Sequence, residues 1–232
     1  MVTTYKVLSA LLSYPTAELQ AAGREMHLAL HVERLLPGQN RVAIDALIEE
    51  LETSELLDLQ ARYVELFDRT RSLSLHMFEH VHGESRDRGQ AMVSLLERYR
   101  QAGLDVARNE LPDYIPLFLE FLSTQAEADA RASLAEPVNI FQALGERLAK
   151  RNTRYAAILE ALVALAQTVP AEDVLEELRK QQVEDPIDLA ALDKAWEEAE
   201  VRFGPGDAAS DGCPRASDML RRMEKTVAGA KA

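Results

Sequence analysis

From Val7 to Val201 the large apolar residues of this chain recur three and four positions apart, stripe after stripe, and almost no stretch alternates apolar with polar. A spacing of three and four puts side chains on one face of an α-helix, whereas a half-buried strand needs a period of two. The expectation is an all-α protein, a single-domain helical bundle. Val7, Leu8, Leu11 and Leu12 form a first stripe that Pro15 stops, and Thr16 caps a second through Leu19, Met26, Leu28, Leu30 and Val32. Leu36 to Asn40 reads as a turn around Pro37 and Gly38. A third helix carries Val42, Ile44, Leu47, Ile48 and Leu51; a fourth opens near Ser54 and carries Leu56, Leu57, Leu59, Tyr63, Leu66 and Phe67.

Beyond a central irregular segment, Met92, Leu95, Leu96 and Tyr99 lie on a helix that ends at Gly103, a residue suited to a left-handed cap. Pro112 marks the start of the next helix, where its missing N–H costs nothing. That helix, Tyr114 to Leu122, is apolar nearly all round and is expected at the buried centre. Ala126 to Pro137 reads as a connection. Ile140, Phe141, Leu144 and Leu148 give one more helix, Tyr155 to Leu165 another, Val174, Leu175 and Leu178 a third, and Ile187 to Phe203 the last. From Gly204 the sequence becomes Gly-Pro-Gly-Asp-Ala-Ala-Ser-Asp-Gly, too poor in apolar side chains to offset the entropy of ordering. The expected organisation is a helical domain over 1–203 and a flexible tail over 204–232, in which Met219, Leu220 and Met223 form a short stripe able to turn helical against a partner.

Composition narrows the function. With 232 residues, 47% of them hydrophobic, the chain can bury the core of one domain. A formal charge of -13 argues against nucleic acid and anionic membranes and favours a cationic partner such as a basic peptide. Cys213 is the single cysteine, so no internal disulfide and no cysteine-based metal site can form within one chain. The apolar run at the start ends at Ser13-Tyr14-Pro15, too short for a signal peptide, and no stretch approaches the roughly 18 apolar residues of a spanning helix. The protein is expected to be soluble and cytoplasmic.

The residues that packing does not account for lie between Tyr63 and Tyr114. Tyr63-Val64-Glu65-Leu66-Phe67 leads into Leu75-His76-Met77-Phe78-Glu79-His80-Val81-His82-Gly83-Glu84, and Glu110-Leu111-Pro112-Asp113-Tyr114 follows one helix later. His76 and His80 at i, i+4 would share a helical face with Glu84 and could meet a metal, although Gly83 weakens an unbroken helix there. Glu110 and Asp113 at a helix start have an ordinary role, stabilising the macrodipole by about 0.3–1 kcal/mol each. The functional alternative is that a carboxylate accepts hydrogen bonds from a basic group of a bound peptide. Tyr63, Leu66 and Phe67 at i, i+3, i+4 suit a core stripe equally well. No phosphate-cradling glycine loop, nucleophile elbow or activated serine is present, so the residues favour binding over catalysis, with no cofactor on the chain.

The run from Leu75 to Met92, together with Glu110 to Leu122 and Tyr5 to Pro15, resembles the nitrate reductase assembly members of the TorD/DmsD-like redox enzyme maturation chaperones. The likeness covers most of the chain up to Phe203. It implies an all-helical cytoplasmic chaperone that binds the N-terminal leader, or its remnant, of a molybdoenzyme and holds the apoenzyme until the molybdenum cofactor is inserted. For nitrate reductase the implied client is the catalytic α subunit, before it joins its membrane subunit. An aromatic-x-x-Leu-Phe element of the leader groove is matched by Tyr63, Leu66 and Phe67. The Glu-x-x-Asp-His signature is met by Glu110 and Asp113, but its histidine is Tyr114 here, a departure that weakens the transfer of a role to that last position. The expected site is a groove of Tyr63, Leu66, Phe67 and Phe78, flanked by Glu110, Asp113 and Tyr114, with the two carboxylates engaging basic residues of the client. The alternatives are a histidine-based metal-binding protein and a general helical scaffold.

Overall fold

The computed structural model describes residues 2–81, 86–107 and 110–180. These form an all-α bundle, and the expected last helix and tail lie outside the described residues. The helices are α1 (Thr3–Leu12), α2 (Ala17–Ala21), α3 (Gly23–Glu33), α4 (Gly38–Thr53), α5 (Leu56–Tyr63), α6 (Arg86–Gln101), α7 (Ile115–Thr124), α8 (Glu127–Ala135), α9 (Val138–Lys150), α10 (Ala156–Ala166) and α11 (Glu172–Lys180). A π-helical turn, Val64–Asp68, extends α5, and two 3₁₀ turns, Arg71–Leu73 and Met77–Glu79, precede α6.

α10 is the hub, packing against α1, α4, α8 and α9. Its sequence explains this: Ile158, Leu159, Leu162 and Leu165 are buried, and Ala156, Ala157, Ala161 and Ala166 let neighbouring helices approach on the remaining faces. Gly145 serves the same contact from α9, where an added Cβ would stand 3.3 Å from that of Leu159. α7 is buried as expected, and Ser9 on α1 donates to the Pro116 carbonyl at 2.7 Å, tying those two helices together. The first turn of α1 is satisfied from a distance by Glu33, whose carboxylate accepts the Thr3 and Thr4 amides at 2.8 and 2.6 Å.

Several expectations are corrected. The stripe from Thr16 to Val32 is two helices, broken at Ala22 before Gly23, with Thr16 capping the first through the Leu19 amide. The turn after Leu36 closes at Pro37, and Gly38 already belongs to α4. Leu28, Val32 and Val42 face solvent rather than the core. Ala126 to Pro137 is not a connection but holds α8, which buries Ala130 and Leu134. The helix after Pro112 starts at Ile115, so Pro116 and not Pro112 occupies its first turn. Gly103 caps α6 with φ +78°, as its position suggested.

Candidate functional site

At Tyr63 the chain leaves α-helical geometry and widens by one residue per turn, closing with the Arg69 amide on the Val64 carbonyl at 3.1 Å. Such π turns re-aim side chains and recur at functional sites. Here the turn brings the Phe67 ring 4.9 Å from that of Tyr63 and 5.1 Å, edge-on, from Tyr155. Tyr14 meets Tyr63 edge-on at 5.5 Å. The Tyr63 hydroxyl donates to the Leu12 carbonyl at 2.9 Å, so toward Tyr114, whose hydroxyl lies 3.3 Å away, it acts as acceptor. Burial, with Tyr114 nearby, pushes the Tyr63 phenol far above its ordinary range and keeps it neutral.

The two stretches singled out in the sequence, 75–78 and 110–114, are one structure. His76 and Tyr114 form an isolated antiparallel bridge, with the Met77 amide on the Asp113 carbonyl at 3.0 Å and the Ile115 amide on the Leu75 carbonyl at 2.9 Å. Asp113 is 0% exposed. One carboxylate oxygen accepts the Phe78 amide at 3.1 Å and the other lies 3.2 Å from His76 Nδ1. The His76 ring packs 5.4 Å from that of Tyr114. His80 is buried and its Nε2–H donates to the Ser74 carbonyl at 2.8 Å. His76 and His80 therefore serve different partners on non-helical backbone, and Glu84 lies outside the described residues. Among the described residues no group of three or more metal-ligating side chains is arranged to hold an ion.

Burial, the largest cause, lowers the His80 pKa from its ordinary 6.5. The unfolded chain then takes up a proton first as pH falls, so the stability that neutral His80 contributes above pH 6.5 is lost progressively on acidification. The expected outcome is a denaturant midpoint that falls below pH 6.5, and falls less in His80→Gln, which keeps a donor for Ser74 but does not titrate.

Between the π turn and the bridge opens a cleft of about 800 Å³, walled by Tyr14, Tyr63, Phe67, Leu75, His76 and Tyr114. A shallower extension of about 440 Å³ shares Tyr14 and Arg69 with it and runs along α5 past Leu57, Ala61 and Val64. Of the sequence-predicted residues, Tyr63, Phe67 and Tyr114 line the cleft. Leu66 is buried and is not part of the lining. Phe78 lines a separate cavity of about 310 Å³ with Met77, Leu95, Phe118 and Ile140. Glu110 is exposed beside a small pocket that adjoins the cleft through Tyr114, and Asp113 is sealed behind the bridge.

Sequence reasoning missed Tyr14, Leu57 and the arginines of the rim. Tyr14 precedes the helix-stopping Pro15 and is 45% exposed, while Leu57 is 78% exposed. The signal for Leu57 was available: it falls off the α5 stripe of Leu59 and Tyr63, so an apolar residue there faces water. The charged lining is Asp68, Arg69, Arg71, Glu79 and Arg88, with Arg88 on Glu79 at 3.3 Å. In a chain of charge -13 this cleft is not acidic.

The profile of the family described as nitrate reductase delta subunit matches residues 33–161. The chain is similar to the nitrate reductase molybdenum cofactor assembly chaperone NarJ of Escherichia coli (strain K12), 42% identical over 207 residues, 88% of this chain and 87% of that protein. It is similar also to the probable nitrate reductase molybdenum cofactor assembly chaperone NarW of the same strain, 38% identical over 224 residues, 96% of this chain and 93% of that one. A probable NarJ of Bacillus subtilis (strain 168) is 30% identical over 176 residues, covering 75% and 93%.

Proposed function

This chain belongs to the nitrate reductase delta subunit family, and because the relatives that match it over most of its length are named nitrate reductase molybdenum cofactor assembly chaperones, we propose that it is the chaperone of a nitrate reductase. In this reading it binds the N-terminal segment of the catalytic α subunit in the cytoplasm and holds the apoenzyme for molybdenum cofactor insertion, before the enzyme joins its membrane subunit. No helix among the described residues is long and apolar enough to cross a membrane.

The observation that supports the reading is the aromatic cleft lined by Tyr14, Tyr63, Phe67 and Tyr114, which shares Tyr14 and Arg69 with the hollow past Leu57 along α5; in this reading the two serve as one groove. A groove with exposed apolar side chains on a π-distorted helix suits an amphipathic segment laid in with its apolar face down. Apolar burial supplies most of the affinity. The rim charges and Glu110 set orientation and on-rate, because exposed ion pairs contribute only about 0–1 kcal/mol each. Asp113 acts from behind, holding the wall in place, and Leu66 supports the groove from the core.

The test is calorimetric titration of the full chain with the first residues of the nitrate reductase α subunit, against a scramble of the same composition. Saturable binding of the native order alone is the expected result. Equal binding of the scramble would reduce the protein to a general helical scaffold, and no binding at high micromolar peptide would overturn the leader-binding reading.

A further inference from the structure

Among the described residues α11 packs chiefly on α9. Leu175 and Leu178 bury against Ala143 in a cluster separate from the main core, Arg179 forks onto Glu146 at 2.8 and 2.7 Å, and the Ala171 amide reaches Asn139 Oδ1 at 2.7 Å. A helix fastened by a small apolar patch and exposed ion pairs opens at a much lower cost than the core around it.

Beneath α11 lies Arg147, 5% exposed on α9. Its guanidinium donates from Nη2 to the carbonyl of Leu178, in the last turn of α11, and from Nη1 to the carbonyl of Ser72 at 2.8 Å. Ser72 belongs to the 3₁₀ turn that brings Arg71 and Ser74 to the cleft, and its own buried hydroxyl finds no hydrogen-bond partner among the described residues. One rigid, always-charged fork therefore joins a weakly held helix to the wall of the cleft.

We propose that α11 is a strap whose seating sets the shape of the client cleft, with Arg147 as the positioning residue that transmits it. With α11 seated, the Leu178 carbonyl fixes the guanidinium plane and aims the second N–H at Ser72. With α11 lifted, water reaches the guanidinium, the fork turns to recover its lost acceptor, and the Ser72 carbonyl is released. The consequence for client binding rests on the reading of the cleft given above; the coupling of α11 to the 71–74 turn does not. Linkage is reciprocal, so a client that needs the wall in place must also hold α11 down.

Hydrogen exchange on the full chain tests this, comparing the wild type, Leu175→Asp, Arg147→Lys and the double variant. Leu175→Asp leaves Arg147 and the cleft residues untouched, and Arg179→Glu is the milder way to lift α11 should the aspartate prevent folding. The amides to follow are Leu73 and Ser74, which close on the Thr70 and Arg71 carbonyls at 2.9 and 3.1 Å. Lifting α11 is expected to speed their exchange about tenfold and to weaken the α-subunit peptide about fivefold. In the Arg147→Lys background, where the fork is gone, lifting α11 should add nothing further. Bound peptide should in turn slow exchange across residues 175–178. The proposal is overturned if exchange shows α11 released while Leu73 and Ser74 keep their wild-type rates. Should the wild type bind no peptide, the leader-binding reading falls, and the exchange comparison still decides the coupling.

Discussion

Replacing Asp113 with alanine is expected to lower the melting temperature by about 6–12 °C, as about 3 kcal/mol in a domain of this size. The carboxylate is fully buried, and its loss leaves the Phe78 amide without an acceptor and His76 without its partner on a segment whose only helix is the short 3₁₀ turn Met77–Glu79. A buried donor stripped of its acceptor costs about 1–3 kcal/mol, and the cavity left by the carboxyl group adds to it. Asp113→Asn keeps an oxygen for Phe78 and should lose about half as much. Client affinity is expected to fall with stability, because the bridge that Asp113 backs presents His76 and Tyr114 to the cleft. Thermal melts and peptide titration on both variants check this. An alanine variant that melts like the wild type but no longer binds would return Asp113 to the role read from sequence, a direct contact with a basic residue of the client.

That shift in the role of Asp113 shows where the sequence stopped being informative. The helical class and most of the helices could be read from periodicity, because burial of one face is a local property repeated every three or four residues; the break at Ala22 and the small-residue helix α8 could not. The π turn at Val64–Asp68 could not, since its residues fit an ordinary core stripe and only tertiary packing against Tyr155 and Tyr14 rewards the extra residue. The exposed Leu28, Val32 and Val42 were assigned inward for the same reason: periodicity gives a face, not what covers it. The site was legible as two stretches of unusual composition, yet their pairing was not. The bridge joins residues some 38 positions apart through backbone hydrogen bonds, and backbone groups carry no sequence signature. Spacing placed Glu110 and Asp113 together at a helix start. The chain instead starts that helix two residues after Asp113, which turns one carboxylate into the interior and leaves the other in water.

Tyr14→Ala is expected to weaken the α-subunit peptide roughly 30-fold, a loss of about 2 kcal/mol, while shifting stability by less than about 1 kcal/mol. The two effects separate because of where the ring lies. Tyr14 is 45% exposed in the free protein and its ring meets the core edge-on at Tyr63, so folding depends little on it. With Arg69 it also stands at the junction of the cleft and its extension along α5, where a segment crossing from Leu57 to Tyr114 would pass. Aromatic residues at the centre of an interface, rimmed by groups that exclude water, carry a disproportionate share of binding energy. Tyr14→Phe keeps the ring and the contact with Tyr63 and should bind within about threefold of the wild type. Leu57→Ala, at the far end of the extension, should cost less than Tyr14→Ala because the end of a groove is less completely dried than its middle. Calorimetry on the three variants orders these effects. If Tyr14→Ala binds as tightly as the wild type while Leu57→Ala is impaired, the client lies along α5 without entering the aromatic cleft, and the two hollows are not one groove.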